Sequence, residues 1–474
     1  MNPPVTSPTD LNAQISHHAS SSHSRAAHLQ PAASTSSRAP SPSPYGNPIN
    51  EPAPRPDFGE APSGLLSTLA LAPGDASTKR VERTPEGLKV VFVLDVSWNS
   101  GKSGLISEWC EGLKKTLFTD EQEDGSEGSV VVVGGDEAGA TGGCRLAKGT
   151  QVAFITFDQS VHFWDFTVSR HAYIRSVEGR LPQLTHMFVC RSQSSPEQPT
   201  MQVMSDLDDV FLPINRNQFF VDPSESRSQI LHLLSSLPKV FAESPHPSAA
   251  LGPATQAALL SLARIGGQIN LFQTSLPSIG AGALQPRDES KLQHTDREKT
   301  LFVPQDLFWR NLAEECVDAG VGVNLFLFPN QYIDVATLSI LTAVTGGDLF
   351  YLPKFDPVRM GGRLRASLEQ VLLRETVFNA TMIIRCSTGL RIGDQFGSFL
   401  QRSLTDLEFG TMDSDKAVAA YLSHTGALDE RRPASFQAAI LHTSADGERR
   451  VRCINLQVPV TSLIGNVFRS VFIL

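Results

Sequence analysis

The sequence of 474 residues lacks several features that would place it quickly in a functional class. None of its six cysteines forms a C-x-x-C pair, and scattered thiols are typical of free cysteines in a reducing compartment. A zinc ribbon is excluded for the same reason. The first thirty residues show no basic start followed by an apolar run, and no window reaches the roughly 18 apolar residues of a membrane span. These absences predict a cytoplasmic protein whose contact with any membrane is peripheral.

Basic charge and catalytic motifs are also scarce. The formal net charge of −9 and the pI near 5.8 argue against non-specific binding of nucleic acid, which needs a basic surface. The chain contains no G-x-S-x-G elbow, no H-E-x-x-H helix and no Cys/His pair in a suitable context. We therefore predict a binding protein that is not an enzyme and has no nucleic-acid partner.

The composition changes three times along the chain. Residues 1–84 are dominated by Ser, Pro, Ala, His and Thr, which predicts a disordered tail because such a segment cannot bury enough apolar surface. Residues 85–375 alternate apolar strands with amphipathic helices and carry an acidic, Gly-rich insertion at 120–149. Residues 376–462 show short alternating runs that predict a β-sandwich. Residues 463–474 end in an apolar stretch, which we interpret as a truncated C-terminus.

The segment 85–375 has the pattern of an α/β domain. Its apolar strands are predicted at 90–94, 152–157, 268–273 and 322–328. Amphipathic helices follow them, one of which we expect to begin at Pro223. Strands separated by helices in this order predict a doubly wound, mostly parallel sheet that is covered on both faces.

Polar residues follow the first of these strands. Asp95 and Ser97 stand at its carboxyl end, where ligands of open α/β sheets usually bind. With Asn99, and with Asp206 as a distal carboxylate, they could supply oxygens to a hard divalent ion. The alternative is a degenerate loop without metal, in which the same side chains cap the helix at Gly101-Lys102.

The triplet Gly101-Lys102-Ser103 follows a strand and invites a nucleotide-binding interpretation. A phosphate loop requires a glycine five residues before its Gly-Lys pair, and this position is Val96. We therefore expect no nucleotide site, and turnover lost on Lys102→Ala would be needed to support one.

Arginines in the last strands form a candidate ligand-binding group. Arg449, Arg450 and Arg452 lie in one predicted strand, and Arg385 ends another. Guanidinium groups that face one groove would bind carboxylates bidentately. The alternative is a set of solvated strand charges paired with Glu448 or Asp446.

An ordered series of motifs resembles the cargo-adaptor subunit of the COPII vesicle coat. The resemblance runs from about residue 88 to 468. It is carried by Val93-Leu94-Asp95-Val96-Ser97, Phe154-Ile155-Thr156-Phe157-Asp158, Ser205-Asp206-Leu207-Asp208-Asp209-Val210-Phe211, Ala250-Leu251-Gly252-Pro253-Ala254-Thr255-Gln256-Ala257-Ala258, Phe272-Gln273-Thr274-Ser275-Leu276-Pro277, Gly280-Ala281-Gly282-Ala283-Leu284 and Gly447-Glu448-Arg449-Arg450-Val451-Arg452.

The resemblance implies a von Willebrand A-like trunk followed by a β-sandwich, part of which comes from sequence upstream of the trunk. It also implies pairing with the GTPase-activating coat subunit, an indirect link to the small GTPase of the coat, and peripheral placement at endoplasmic reticulum exit sites. Cargo sorting signals would be the ligands. The family's R-x-R motif for acidic signals is represented only by Arg385, because Ile383 occupies the other position.

Two departures from the family bear on cofactors and on the alternative function. The four-cysteine zinc element of the family has no counterpart in this chain, so we expect no cofactor. The helical and gelsolin-like regions that follow the sandwich in the family are also missing. The alternative function is a metal-dependent von Willebrand A-type protein-binding domain outside the coat.

Overall fold

The computed structural model describes residues 66–70, 86–119, 143–167 and 198–470. The strands are β1 (Leu66–Ala70), β2 (Lys89–Asp95), β3 (Gln151–Phe157), β4 (Val161–Asp165), β5 (Thr200–Met204), β6 (Gly267–Gln273), β7 (Val321–Leu327), β8 (Leu349–Tyr351), β9 (Thr376–Cys386), β10 (Leu390–Phe396), β11 (Leu400–Gln401), β12 (Asp406–Asp413), β13 (Ala419–His424), β14 (Ala434–Thr443) and β15 (Arg449–Val458). The helices are α1 (Trp98–Lys102), α2 (Leu105–Leu117), α3 (Arg216–Phe219), α4 (Arg227–Val240), α5 (Leu251–Leu262), α6 (Glu289–Leu292), α7 (Phe308–Ala319), α8 (Val335–Leu338), α9 (Ile340–Thr345), α10 (Pro357–Leu373) and α11 (Ile464–Ser470), with a 3-10 helix at Glu298–Phe302.

Seven strands form the sheet of the trunk, in the order β5-β4-β3-β2-β6-β7-β8. The five strands from β3 to β8 in this order pair in parallel, whereas β4 pairs antiparallel with both β3 and β5. This confirms the predicted doubly wound, mostly parallel sheet. All four predicted apolar strands are present, as β2, β3, β6 and β7.

Both faces of the trunk sheet are buried. Val91 and Val93 of β2 point into one core, which α5, α7 and α9 cover, and Val90 and Phe92 point into the opposite core beneath α2, α4 and α10. Side chains alternate along a strand, so a strand buried on both faces must be apolar at nearly every position. Every residue of β2 is accordingly buried.

Aromatic rings order the second of these cores. Phe272 stacks on Phe326 with ring centroids 4.6 Å apart, and Phe326 stacks on Phe350 at 4.5 Å. Trp109 of α2 packs edge-on against Phe272 at 5.4 Å. The rings run across β6, β7 and β8, so each aromatic side chain supports the strand next to its own.

The second region contains two antiparallel sheets, which confirms the predicted β-sandwich. A six-stranded sheet has the order β1-β15-β14-β9-β12-β11, and β10 pairs with β13 in a two-stranded sheet. The apolar core of this region is small, and its buried residues all come from the six-stranded sheet: Ala380, Leu407, Phe409 and Ile440.

The N-terminal tail departs from the prediction at five residues. Leu66–Ala70 forms β1, which pairs antiparallel with β15 from Ile454 to Arg450. The structure thus places a strand within the segment predicted to be disordered, since an open strand edge can pair with a short segment through backbone hydrogen bonds. The rest of the predicted tail, apart from 66–70, lies outside the described residues, as does most of the predicted insertion at 120–149.

Another prediction fails at a helix start. The helix expected at Pro223 begins only at Arg227, as α4. The side chain of Asp222 accepts a hydrogen bond from the backbone N–H of Ser224 at 2.8 Å, and residues 223–226 form turns. Asp side chains favour such local turns over the first turn of a helix.

A partly buried charge network joins the trunk to the sandwich. Arg374, at the end of α10, contacts Asp348 of the trunk and lies 2.9 Å from Asp413 at the end of β12. Lys416 reaches Asp348 at 3.2 Å and Asp413 at 3.3 Å. Burial alone would raise the pKa of Asp348, but Arg374 and Lys416 hold it below its ordinary value.

The backbones of the two regions also approach closely. A Cβ atom added to Gly322 of β7 would lie 1.8 Å from Oγ1 of Thr411 in β12. Only glycine permits this contact, so β12 packs directly onto the trunk sheet. Within the described residues, no helix combines the length and apolar character needed to cross a membrane.

Candidate functional site

Asp95 is the centre of a closed hydrogen-bond cluster at the carboxyl end of β2. Its Oδ1 accepts from the backbone N–H of Ser97 at 2.8 Å, and its Oδ2 accepts from the backbone N–H of Thr274 at 2.9 Å and from the Thr274 hydroxyl. The carboxyl is fully buried. Burial raises the pKa of Asp95, and the donors on Ser97 and Thr274 oppose part of that rise.

These contacts test the predicted ion site. The buried hydroxyl of Ser97 makes no hydrogen bond of normal geometry and would be free for a ligand. Both oxygens of Asp95, however, already accept donors, and a hard divalent ion needs several oxygens with free lone pairs. Within the described ranges, no three His, Cys, Asp or Glu side chains converge as a metal site would require. The contacts of Asp95 therefore favour the alternative, a loop without metal, which stays a prediction.

The other two candidates for the ion site serve local structure. Asn99 lies inside α1, and its carbonyl accepts from the N–H of Ser103. Asp206 is exposed, and its Oδ1 accepts from the backbone N–H groups of Asp208 and Asp209. Thr274 contacts Asp95 from 179 positions away in the chain, and no local sequence pattern indicates this contact.

Gly101-Lys102-Ser103 does not form a phosphate loop. Gly101 and Lys102 belong to the short helix α1, and Ser103 caps it. The ammonium of Lys102 lies 4.4 Å from the ring centroid of Trp98, in a cation–π contact.

A second buried polar cluster, which the sequence did not reveal, lies at the end of β3. His162 contacts Thr156 Oγ1 at 3.2 Å through Nδ1 and Ser160 Oγ at 2.9 Å through Nε2. Trp164 donates to Thr156, and Ser160 donates to Asp158 at 3.0 Å. All of these groups are satisfied if His162 is neutral with its proton on Nε2. Burial lowers the pKa of His162 to about 4, although Asp158 pulls in the opposite direction.

The four predicted ligand-binding arginines do not face one groove. Arg385 pairs with Gln437 of β14, whereas Arg449 pairs with Thr443 of the same strand. At about 3.3 Å per residue, this register separates the two arginines by roughly 20 Å. The expectation of a groove shared by all four is therefore wrong, because Arg385 and Arg449 lie far apart along β14 and Arg452, paired with Ile440, lies between them.

The three arginines of β15 are largely engaged within the protein. Arg449 donates to the carbonyl of Asn379 at 2.6 Å and to Thr443 Oγ1 at 2.9 Å. Arg450 pairs with Glu448 at 2.7 Å and with Asp446 at 2.9 Å, as the alternative interpretation proposed. The guanidinium of Arg452 lies 3.7 Å from the carboxylate of Glu375.

Arg385 lies at the end of the sandwich where three other exposed arginines are found. Arg391 stands at the start of β10, and Arg431 and Arg432 precede β14. The N–H of Ser387 donates to the carbonyl of Ser435, which ties the β9–β10 turn to this segment. We call Arg385, Arg391, Arg431 and Arg432 the distal arginines.

The distal arginines retain their capacity for ligands. None of the four guanidinium groups forms an ion pair with another described residue, and all four side chains are exposed. The nearest acids are used by the backbone, since Asp429 accepts from the N–H of Arg431 and Glu430 accepts from the N–H of Ser462. Planar guanidinium groups bind carboxylates and phosphates through paired hydrogen bonds.

Comparison with protein families assigns both regions. Residues 85–372 match the model of the Sec23/Sec24 trunk domain, and residues 377–461 match that of the Sec23/Sec24 beta-sandwich domain. The chain belongs to the Sec23/Sec24 family. The trunk match alone covers more than half of the chain.

Similar proteins are Sec24 members of this family. The chain is 35% identical over 383 residues to "Protein transport protein Sec24C" of Homo sapiens and 33% identical over 396 residues to "Protein transport protein SEC24 A" of Arabidopsis thaliana. The alignments cover 80% and 83% of this chain but only 31% and 33% of these relatives. The chain thus spans about a third of the length of the curated relatives it matches.

A solved structure agrees with the sequence comparison. The crystal structure of the human COPII-coat protein Sec24c superposes with a TM-score of 0.70 at 32% identity, over 88% of this chain and 49% of that one. The resemblance to the cargo-adaptor subunit of the COPII coat is thereby confirmed at the level of family and fold.

Proposed function

We propose that this protein is a cargo-selecting component of the COPII coat in transport from the endoplasmic reticulum to the Golgi. The single observation that supports this most strongly is the ordered match of trunk and sandwich to the Sec23/Sec24 domains, together with the superposition on Sec24c. In this proposal the protein is a peripheral adaptor on the cytoplasmic side of endoplasmic reticulum exit sites. It performs no enzymatic step and uses no cofactor.

The closed cluster around Asp95 supports a docking role for the trunk. In an ion-dependent binding domain, the carboxylate at the end of the first strand must be free to coordinate metal. Here Ser97 and Thr274 occupy it, so the trunk does not need an ion to hold its loops. We propose that the trunk binds the GTPase-activating subunit of the coat, which links it indirectly to the small GTPase.

We propose the distal arginines as the site for acidic sorting signals of cargo proteins. Arg385 is the member that the family resemblance indicates, and Arg391, Arg431 and Arg432 add three guanidinium groups without internal ion pairs. Arg449 and Arg450 are excluded from this role because protein oxygens already occupy them. Arg452 remains a secondary candidate near Glu375.

The partner proposal is tested by binding of the full-length chain to the purified GTPase-activating COPII subunit. We expect a complex that survives physiological salt and coelutes in size-exclusion chromatography. The absence of any complex under these conditions would refute the proposed place in the coat.

The cargo proposal is tested with a peptide that carries two acidic residues, measured by fluorescence anisotropy. Arg385→Glu with Arg431→Glu should weaken binding by at least about tenfold, because each charged hydrogen bond contributes about 1.5–3 kcal/mol. Arg359→Glu is the matched control, since Arg359 is an exposed arginine of α10 in the trunk. Equal affinity of both variants would contradict the assignment.

The alternative, a metal-dependent A-type domain outside the coat, is not favoured. A magnesium titration would test it, since an ion that binds only the folded protein raises the melting temperature. We expect no rise.

A further inference from the structure

Three large apolar side chains project from the trunk between β6 and α7. Phe302 is 76% exposed, Val303 57% and Leu307 70%. Scattered single apolar residues on a surface need no explanation, but neighbouring ones around an apolar centre are typical of binding surfaces. We call Phe302, Val303 and Leu307 the apolar knob.

A buried arginine fixes the segment that carries the knob. Arg287 donates from Nε and Nη2 to Asp334 Oδ2 at 2.9 and 2.8 Å. Its Nη1 donates to the carbonyl of Thr300 at 2.6 Å, and its Nη2 also donates to the carbonyl of Val303 at 2.7 Å. One guanidinium thus holds the backbone on both sides of Phe302 against a carboxylate that is only 3% exposed.

Gln305 holds the same segment through further hydrogen bonds. Its Nε2 donates to Asp334 Oδ2 at 2.7 Å and to the carbonyl of Gln285 at 2.8 Å. The backbone N–H of Gln305 donates to Thr337 Oγ1 at 2.9 Å. A segment held by this many bonds has already lost its conformational freedom, so presenting the knob to a partner costs little further entropy.

The charges near the apolar knob indicate whether its partner is a protein or a membrane. From residue 285 to 307 the acids are Asp288, Glu289, Asp296, Glu298 and Asp306. The bases outside the buried pair of Arg287 and Asp334 are Lys291, Arg297 and Lys299. Five acids against three bases leave an acidic excess, which repels an anionic bilayer and complements a basic rim.

We propose that the apolar knob anchors the trunk in an apolar pocket with a basic rim on a protein partner. This inference rests on the proposed function, so the GTPase-activating COPII subunit is the partner used as probe. An apolar centre with a polar rim is typical of protein interfaces, and Phe is among the side chains enriched there.

The test compares full-length variants in binding to that subunit by biolayer interferometry. Phe302→Ser with Leu307→Ser should weaken the complex by at least tenfold while leaving the melting temperature unchanged, because both side chains are solvated in the free protein. Val358→Ser is the matched control, since Val358 is 94% exposed on α10, and its affinity should equal that of the unmodified chain. Arg287→Lys keeps the positive charge but removes the planar guanidinium that bonds to Asp334, Thr300 and Val303. It should therefore weaken binding although the three side chains of the apolar knob are unchanged.

The possible results separate the two claims. If the unmodified chain binds and the double variant binds equally well, the knob is not the anchor, but the proposed coat function stands. Loss of binding in Val358→Ser to the same extent would also overturn the inference. Flotation of the unmodified chain, but not of the double variant, with phosphatidylserine vesicles would assign the knob to a membrane instead. No binding by the unmodified chain would overturn both the inference and the proposed function.

Discussion

The trunk and the β-sandwich use their sheets in opposite ways. β2 of the trunk is buried at all seven positions, whereas β15 of the sandwich has no buried residue and exposes Ile454, Leu456 and Val458. The trunk has a core on each side of its sheet, and the sandwich has one small core. Stability is therefore concentrated in the trunk, and uncommitted surface is concentrated in the sandwich.

The same contrast governs the polar groups. At the end of β2 the trunk satisfies Asp95 internally, and at the end of β3 it closes a hydrogen-bond chain around His162. The sandwich leaves Arg385 and Arg391 exposed without ion pairs among the described residues. A charged group that is satisfied internally, as Asp95 is, stabilises the fold, whereas an exposed one without an ion pair can bind a ligand.

The largest expected effect tests the difference between the cores. Phe272→Ala removes a ring that stacks on Phe326 and meets Trp109, and should cost about 3–5 kcal/mol of unfolding free energy. Phe409→Ala in the sandwich should cost less, because only Ala380, Leu407 and Ile440 are buried with it and a small core can collapse around part of the lost volume. Urea unfolding followed by circular dichroism measures both values. Equal losses would show that the sandwich core is as tightly packed as the trunk.

Removing a polar side chain should have the next largest effect. Asp95→Ala leaves the buried donors of Ser97 and Thr274 without an acceptor, which should lower the unfolding free energy by about 3 kcal/mol. The same urea experiment measures it. Asp206→Ala is the control, since Asp206 is exposed and caps only its own turn. A loss below about 1 kcal/mol in Asp95→Ala would mean that the cluster is not closed.

Lowering the pH should reduce the folding stability of the trunk because His162 is buried in its neutral form. Its pKa falls from an ordinary 6.5 to about 4 in the folded protein, so the unfolded chain binds more protons between these values. Stability should therefore fall as the pH drops from 6.5 towards 4, and His162→Gln should flatten that slope. Melting temperatures across this pH range measure the slope of stability against pH, and an unchanged slope in His162→Gln would contradict the neutral tautomer.

The sandwich contains a second histidine of this kind. Burial and three nearby arginines lower the pKa of His442, so its contribution to stability should also fall as the pH drops, with a smaller slope than that of His162.

The smallest effect is expected at the surface of the sandwich. Arg450→Ala breaks exposed pairs with Glu448 and Asp446 and should change the unfolding free energy by less than about 1 kcal/mol. Thermal unfolding at low and high salt measures it. A larger loss of unfolding free energy would show that ion pairs of β15 stabilise the sandwich, and that the two regions differ less in their internal contacts.

Whether a strand could be predicted from the sequence depends on how deeply that strand is buried. The strands of the trunk interior are continuous apolar runs, so β2, β3, β6 and β7 were predictable from composition alone. β5 and β8 are short and only partly buried, and their sequences contain no comparable run. In the sandwich, β10 has a single buried residue, and β12 is buried at three consecutive positions because it also packs onto the trunk, so neither shows the strict alternation of a strand with one wet face.

The candidate site was predictable only where local spacing determines it. Asp95 and Ser97 could be placed at a strand end, but their partner Thr274 is distant in the chain and contacts them only after β6 pairs beside β2. The distal arginines come from different strands and loops, and the register of β9 on β14 places Arg385 near the segment that carries Arg431 and Arg432. Information of this kind is in the fold and not in any sequence window.

The strand formed by Leu66–Ala70 has a practical consequence for protein production. A shortened version that starts at the first residue of the trunk would remove β1 and leave the backbone N–H and C=O groups of Arg450 to Ile454 open along β15. Bare edges of this kind recruit strands from neighbouring copies, so such a version would be expected to self-associate in concentrated solution. Expression that begins before Leu66 would keep this edge paired.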